Sequence, residues 1–500
     1  MYPRTAVRYA IAFVRPRAGC IDCLGASGRL MRTKLLLLLL ALSVAGFAQV
    51  QVPDTPAGRQ MGAWLQAFDG GDRAAFLAFL EKNFPSQAEN VDRDMDLRKM
   101  TGGFDLRKVE DASTPTKAVA LVQERDSDQF ARITVEVAAV DPYAITQMGI
   151  RSIPRPADFP LPKFSQGELV AALKAKLQKD STSGNFSGDV LLASRGKPVF
   201  EEAYGMADLG KRTPNTLNTQ FRIGSMNKMF TAVAVLQLVQ QGKVHLDDPL
   251  GKYLPDYPNK DVASKVKVQN LLTHTGGTGD FFGPKFDAHR LELKTLDDYV
   301  KLYGNRPLRF EPGSKWEYSN YGFLLLGLIV EKTSGQSYYD YVRDNIYKIA
   351  GMTSTGSEPE DTHVVNLSTG YTGMGVKDGG TRPNGDTLPY RGTSAGGGYS
   401  TVDDLLRFAD ALQANKLLNA QYTEMLTTGK PGTPDNSYAF GFEDRKVNGV
   451  RCFGHGGGAP GMNGMLQVCP ATGYVVAVLS NLDPPAATRV ADFVLNRLPQ

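Results

Sequence analysis

Phe221-Arg-Ile-Gly-Ser225-Met-Asn-Lys228 runs straight into an apolar stretch, Met229 to Gln240, that Gly242 stops. That pattern predicts a buried helix with Ser225 at or near its N-terminus. Lys228 follows three residues later, so the two side chains share one helical face. A helix start offers unpaired backbone N–H groups and a positive field, and both favour a developing negative charge. A lysine kept neutral by burial can take a proton from the adjacent serine. Alone, the same string also reads as an N-cap serine followed by a first-turn surface lysine.

Two other segments argue against that plainer reading. Tyr318-Ser-Asn320 follows a Pro312-Gly313 turn and opens an apolar helix, Tyr321–Val330. His455-Gly-Gly-Gly458 follows a short strand and precedes another. Taken singly, Ser319 or Asn320 is a helix cap, Tyr318 a core aromatic and the glycine run a tight turn. The order S-x-x-K, Y-x-N, H-G-G at wide spacing is far less common than any one of them.

With these three motifs the sequence resembles the serine hydrolases of the class C β-lactamase and penicillin-binding-protein-like family, which includes esterases, D-aminopeptidases and D-alanyl carboxypeptidases. The related S-x-x-K, S-D-N and K-T-G set marks the class A enzymes. The resemblance covers about Ser165–Leu498 and extends to Leu271-Leu-Thr-His-Thr-Gly-Gly277, Glu311-Pro-Gly313, Ser394-Ala-Gly-Gly397 and Leu479-Ser-Asn481. It implies an α+β fold: an antiparallel sheet flanked by helices, with a helical lobe from about Lys243 to Ala420. It further implies Ser225 as nucleophile, Lys228 as its base and Tyr318 as a partner in proton traffic, with nearby cations favouring a phenolate. Asn320 would orient Lys228 and touch the substrate. The Ser225 N–H, with one from the Gly457–Gly458 stretch (Gly458 matches best), would form the oxyanion hole. Water activated by Tyr318 and Lys228, with His455 nearby, would release the acyl group.

One departure matters. His455-Gly456-Gly457 stands where the lactamases and carboxypeptidases carry Lys-Thr-Gly, whose Lys and Thr help bind a substrate carboxylate. A histidine only partly charged near neutral pH, and a glycine without a hydroxyl, point toward the esterase and aminopeptidase branches instead. A catalytically silent scaffold that binds peptidoglycan fragments or a partner is the reading from another class.

A second serine string, Gly392-Thr-Ser394-Ala-Gly396, fits the G-x-S-x-G elbow of α/β-hydrolases, which needs a strand before it and a helix straight after. Here Asp386-Thr-Leu-Pro-Tyr-Arg391 precedes it, and the next helix begins only at about Thr401, with Asp404 completing a capping box. Ser394 is therefore a decoy. His274 ends a short Val268–Thr273 helix and reads as a structural histidine. With five histidines and no metal-ligand spacing, neither a metal nor another cofactor is expected.

Upstream, Gly58–Phe68 and Arg73–Phe84 have helical periodicity around an Asp69–Asp72 turn. Strand-like runs follow at Phe104–Val109, Lys117–Gln123, Phe130–Ala138 and Ala144–Ile153. This small α+β domain, residues 53–150, loosely resembles the cone of nuclear transport factor two-like proteins. A Pro-rich linker, 151–164, joins it to the hydrolase domain, 165–498.

Residues 1–48 read as a leader. Met31-Arg-Thr-Lys34 is a basic n-region, Leu35–Phe47 an apolar core, and Gly46 and Ala48 suit cleavage after Ala48, which makes Met31 a plausible start. The core is too short for a bilayer span, so no membrane span is expected after signal removal. The leader carries a net +6 of the chain's formal +4, leaving −2, so nucleic acid is not an expected partner. An exported, periplasmic or secreted protein acting on a small ester, peptide or cell-wall fragment is expected. Beyond the leader only Cys452 and Cys469 remain, on two strand-like runs, either as a disulfide or as two buried thiols.

Overall fold

A computed structural model describes residues 50–376 and 380–499. The leader expected over residues 1–48, with its signal segment and with Cys20 and Cys23, lies outside the described residues.

The small region begins with α1 (Pro56–Gly70), α2 (Arg73–Asn83) and α3 (Val91–Thr101). Asp72 caps α2 by accepting from the N–H groups of Ala74 and Ala75. No apolar periodicity marks α3, because Val91 and Thr101 are its only buried residues. Its ends specify it instead: Asp92 and Asp94 in the first turn, Arg98 and Lys99 in the last, and Gly102 in the left-handed conformation just beyond. The strands β1 (Phe104–Val109), β2 (Lys117–Glu124), β3 (Phe130–Val137) and β4 (Ile145–Ile153) form an antiparallel meander in that order. One face packs Ala118, Ala120, Ile133 and Val135 against Met61, Trp64, Phe68 and Phe76 of the helices. Because β4 reaches Ile153, the first residues of the 151–164 stretch belong to this sheet. The following residues turn back over it, with Phe159 on the ring of Phe130 and the Arg155 guanidinium over the same ring.

The main sheet is assembled from distant segments. After α4 (Gln166–Thr182), opened by a Ser165/Glu168 capping box, come β5 (Gly188–Ser194) and β6 (Lys197–Tyr204). The buried helices α5 (Asn227–Gln240), α6 (Asn320–Ser334) and α7 (Val402–Gln413) follow, with shorter helices between them. The chain returns as β7 (Glu443–Val447), β8 (Val450–Ala459), β9 (Met462–Cys469) and β10 (Tyr474–Ser480), and α8 (Ala486–Leu495) follows. The order is β7-β8-β9-β10-β5-β6, antiparallel throughout, with Gly188 opposite Ser480 and Ser194 opposite Tyr474.

Alternation along the strands gives the sheet two apolar faces. Leu191, Ala193, Ala477 and Leu479 join α5, α6 and α7 in one core. Val190, Leu192, Val476 and Val478 meet α4 and α8 in another. Residues 243–420 form the helical lobe, which also holds a small strand pair, Tyr371–Thr372 with Arg382–Pro383. Cys452 and Cys469 are joined by a disulfide, their Cα atoms 4.1 Å apart. The register explains the pairing, since their neighbours Phe453 and Val468 lie opposite each other on β8 and β9. Among the described residues no helix is long and apolar enough to cross a membrane.

The small region rests on the α4/α8 side, away from the helical lobe. Asp128, just before β3, accepts from Arg497 at 2.9 Å and Arg155 at 3.3 Å. Arg489 of α8 holds Glu124 at 2.6 Å, and Lys179 of α4 holds Asp126 at 3.1 Å. Arg497 and Asp128 are only 10% and 13% exposed, so this pair is desolvated rather than a surface contact. Asp128→Ala leaves two arginines without their carboxylate and should cost about 3 kcal/mol in urea denaturation. A loss below about 1 kcal/mol would place the contact with solvated surface pairs.

Candidate active site

The turn that carries Ser225 is tighter than a plain helix start. Gly224–Met226 form a single 3-10 turn, and α5 begins at Asn227. Gly224 has φ +52, a conformation that glycine adopts without strain. Ser225 is half-buried and reachable, whereas Lys228, one turn on, is 0% exposed.

Lys228 is surrounded by neutral groups. Its Nζ lies 2.7 Å from Asn320 Oδ1, within hydrogen-bonding distance of the Ala395 carbonyl and 3.2 Å from Ser225 Oγ. The rings of Tyr318 and Phe323 stand 4.7 and 5.4 Å away. Burial pushes its pKa down to about 7, and the carboxylate of Asp280 opposes that shift. In the neutral form that this shift favours, the count of hydrogens sets the direction of the lone pair. A neutral amine has two N–H bonds, and two pure acceptors, Asn320 Oδ1 and Ala395 O, take both. The remaining lone pair is left to face the hydroxyl of Ser225.

Tyr318 differs from the expectation of a phenolate. Burial raises its pKa and outweighs the favourable contact with Ser225. Its neighbouring lysine, itself driven toward neutrality, supplies too little positive charge to reverse this. Tyr318 is therefore a phenol in this arrangement, able to give a proton.

Asn320 opens α6 behind Ser319, whose hydroxyl caps the helix by accepting from the Gly322 N–H. Both ends of the Asn320 amide are engaged. Oδ1 accepts from Lys228, and Nδ2 donates to Asp280 Oδ2 at 2.8 Å.

The glycine run after His455 is strand rather than turn, since β8 continues through it to Ala459. Without side chains the run shows no alternation, so the sequence hid it. Its bareness is required: a methyl group on Gly457 would sit 1.9 Å from Ile223 O, and one on Gly224 3.0 Å from Gly458 N. The strand edge thus lies directly on the turn that carries Ser225, with Gly458 exposed beside it.

His455 is 3% exposed and belongs to a chain that sequence reasoning missed. The Ser319 N–H donates to His274 Nδ1 at 3.0 Å, so the proton of that neutral ring is on Nε2, which donates to Tyr438 Oη at 2.9 Å. The Tyr438 hydroxyl then donates to His455 Nε2 at 3.0 Å, leaving Nδ1–H to the Gly456 carbonyl. Burial lowers the pKa of both histidines, the Glu443 carboxylate opposes this at His455, and any charge on Lys228 adds to the lowering. The network therefore holds His455 neutral at pH 7. His274 and the chain after Pro434 carried no motif that named Tyr438 as their link.

Ser394 stands apart. It is fully buried, in a tight turn where Thr393 pairs with Gly396, and its Oγ lies 3.4 Å from the Leu324 carbonyl of α6. No parallel strand leads into it, which removes the context of an α/β-hydrolase elbow. Among the described residues no group of three or more His, Cys, Asp or Glu side chains is placed to hold a metal ion.

The structure thus gathers Ser225, Lys228 and Tyr318 between a helical lobe and an antiparallel sheet. A Beta-lactamase family profile matches residues 173–499, and the chain belongs to that family. The chain is 34% identical over 175 residues to Penicillin-binding protein 4* of Bacillus subtilis (strain 168), covering 34% of this chain and 38% of that relative. Among solved structures it is similar to a penicillin binding protein from Bacillus halodurans, with TM-score 0.58 and 32% identity over 64% of this chain and 97% of the other. It is also similar to the D-amino acid amidase from Ochrobactrum anthropi SV3, with TM-score 0.57 and 25% identity over 66% and 99%.

The reactive form of Lys228 is the neutral amine, whose pKa is lowered to about 7. The rate of Ser225 modification by a fluorophosphonate should therefore fall below that pH, about tenfold per unit, and level off above about pH 8. A limb centred near 10, the ordinary lysine range, would refute a buried neutral base.

Proposed function

We propose that this protein is an exported serine hydrolase that transfers the acyl group of an ester or amide to Ser225 and then to water. The observation that carries the reading is the buried Nζ of Lys228 within hydrogen-bonding distance of Ser225 Oγ, Asn320 Oδ1 and the Ala395 carbonyl, an arrangement in which the neutral amine keeps its lone pair for the serine hydroxyl. Ser225 Oγ attacks the substrate carbonyl as Lys228 takes its proton. The oxyanion forms against the N–H groups of Ser225 and Gly458, which the bare glycine contact brings together. Lys228 returns the proton through the Tyr318 hydroxyl to the leaving alcohol or amine, whose bond to carbon breaks. Water then attacks the acyl-enzyme, gives its proton back along the same path, and releases Ser225 and the acid.

The relatives support amide chemistry, since a D-amino acid amidase and a penicillin binding protein share the fold. The export signal read at Met31–Ala48 supports a substrate outside the cytoplasm. The neutral His455 removes the cation that would hold a substrate carboxylate, so β-lactams and D-alanyl-D-alanine ends are poor fits. His455 serves instead as the fixed acceptor at the end of the Tyr438 chain.

Fluorophosphonate labelling of the leaderless protein with peptide mapping should place the adduct on Ser225 and lose it in S225A, while S394A keeps it. Lys228→Met should slow labelling by about 10²–10⁴-fold. A folded protein that takes no adduct would instead be a silent scaffold. Nitrocefin turnover should be weak beside that of p-nitrophenyl esters and amino-acid amides, and fast turnover would overturn the role given to His455.

A further inference from the structure

Asp280 has no place in the acyl-transfer steps above, yet its carboxylate lies one side chain away from Lys228. Its Oδ2 accepts from Asn320 Nδ2 at 2.8 Å, and Asn320 Oδ1 meets Lys228 at 2.7 Å. Its Oδ1 accepts from the Phe281 N–H at 2.6 Å, which fixes the rotamer. The side chain is half-buried, at the edge of the site. No ion pair among the described residues includes it. The nearby Arg306 guanidinium donates to the backbone carbonyls of Asp280 and Thr278, not to the carboxylate. The Phe282 side chain beside it is 59% exposed, so this rim is open to a ligand.

Two carboxylates act on this site from opposite walls, Glu443 of β7 on His455 and Tyr318, and Asp280 on Lys228 and Tyr318, and only Asp280 is hydrogen-bonded to Asn320. With Lys228 working as a neutral base and His455 neutral, the carboxylate of Asp280 remains as the formal charge next to Asn320. We infer that Asp280 is an ammonium subsite, and that the substrate's acyl part carries a free amino group close to the scissile carbonyl. This rests on the acyl-transfer reading of Ser225. The leaving group departs toward the Tyr318 hydroxyl, the group placed to protonate it. The portion of substrate facing the other end of Asn320 is then the acyl portion. A substrate ammonium bound there meets an oriented carboxylate, a strong charge-assisted contact in a partly desolvated setting. The same carboxylate repels a substrate carboxylate, in keeping with the missing cation at His455. Occupancy also acts on the base. Asp280 holds the pKa of Lys228 up. An ammonium that neutralises Asp280 releases that hold and favours the neutral amine when substrate is bound.

The test compares alanine p-nitroanilide, in both enantiomers, with its N-acetyl counterpart on the leaderless protein and on Asp280→Asn, whose amide keeps the shape and the acceptor for the Phe281 N–H. The wild type should prefer the free amine in kcat/KM by about 30-fold or more, and D280N should collapse that preference, whatever it costs both substrates by setting its own Nδ2 against Asn320 Nδ2. D280E should recover part of it. Equal turnover of the two substrates by the wild type overturns the subsite, and so does an equal loss on both in D280N. If neither substrate turns over but a fluorophosphonate labels Ser225, the ammonium subsite falls while the acyl-transfer reading stands. If Ser225 takes no label on the folded protein, both fall together.

Discussion

The whole site depends on one buried amine. An isolated ammonium at 0% exposure is among the most costly groups a protein can hold, and Lys228 has no carboxylate in direct contact to offset it. What surrounds it are dipoles and ring faces: one side-chain amide, one backbone carbonyl, one hydroxyl and two aromatic rings. Three acceptors and two ring faces would also suit an ammonium, so it is burial that favours the amine. The acceptors come from far along the chain, Asn320 from the start of α6 and Ala395 from the turn before α7. A shift of either leaves an N–H unpaired and the lone pair free to turn away from Ser225. The helical lobe is thus more than a cover for the sheet, since its packing against α5 sets the direction of one lone pair.

The sheet contributes the opposite wall. β5 and β10 pair residues nearly three hundred positions apart, so the strand that carries His455–Gly458 is positioned only once both ends of the domain have come together. Contact between β8 and the nucleophile turn is backbone against backbone, with no room for a methyl group at Gly457. Such a contact is rigid in a way that side-chain packing is not, because nothing in it can change rotamer. The Cys452–Cys469 bond joins β8 to β9 a few residues upstream. On the far face α8, with the residue just beyond it, reaches the small region through Arg489 and Arg497, so that region bears on the back of the same sheet rather than on the mouth of the site.

Much of this was legible in the sequence, for identifiable reasons. Ser225, Lys228, Tyr318 and Asn320 each sit at the start of a helix or one turn into it, where apolar periodicity and turn residues announce the boundary. What escaped notice had no periodic signature. The glycine run looked like a turn because glycines cannot show which face is inside. The helix Val91–Thr101 buries two residues, so its charges concealed it. Asp280, Tyr438 and the Ala395 carbonyl lie on loops, and a backbone carbonyl has no sequence identity at all. The G-x-S-x-G string is instructive here. It was set aside for its context, and Ser394 is indeed packed into α6, yet the next residue supplies one of the two acceptors that hold Lys228.

The neutral histidines explain why the site tolerates losing a cation. A lysine at position 455 would place a second ammonium near Lys228 and push the base further toward neutrality, at the cost of burying another charge. His455 avoids that through the chain from Ser319 N–H to His274, Tyr438 and the Gly456 carbonyl, in which every donor has one acceptor and every ring one forced tautomer. Protonating His274 would set its Nδ1–H against the Ser319 N–H, so at that ring the network resists charge by geometry as well as by burial. The site therefore carries carboxylates on both walls: Asp280 on the helical-lobe side, acting on Lys228, and Glu443 of β7 on the strand side, acting on His455 and Tyr318. A substrate drawn to such a site is one that brings positive charge to the lobe and asks nothing of the strand beyond its backbone N–H groups.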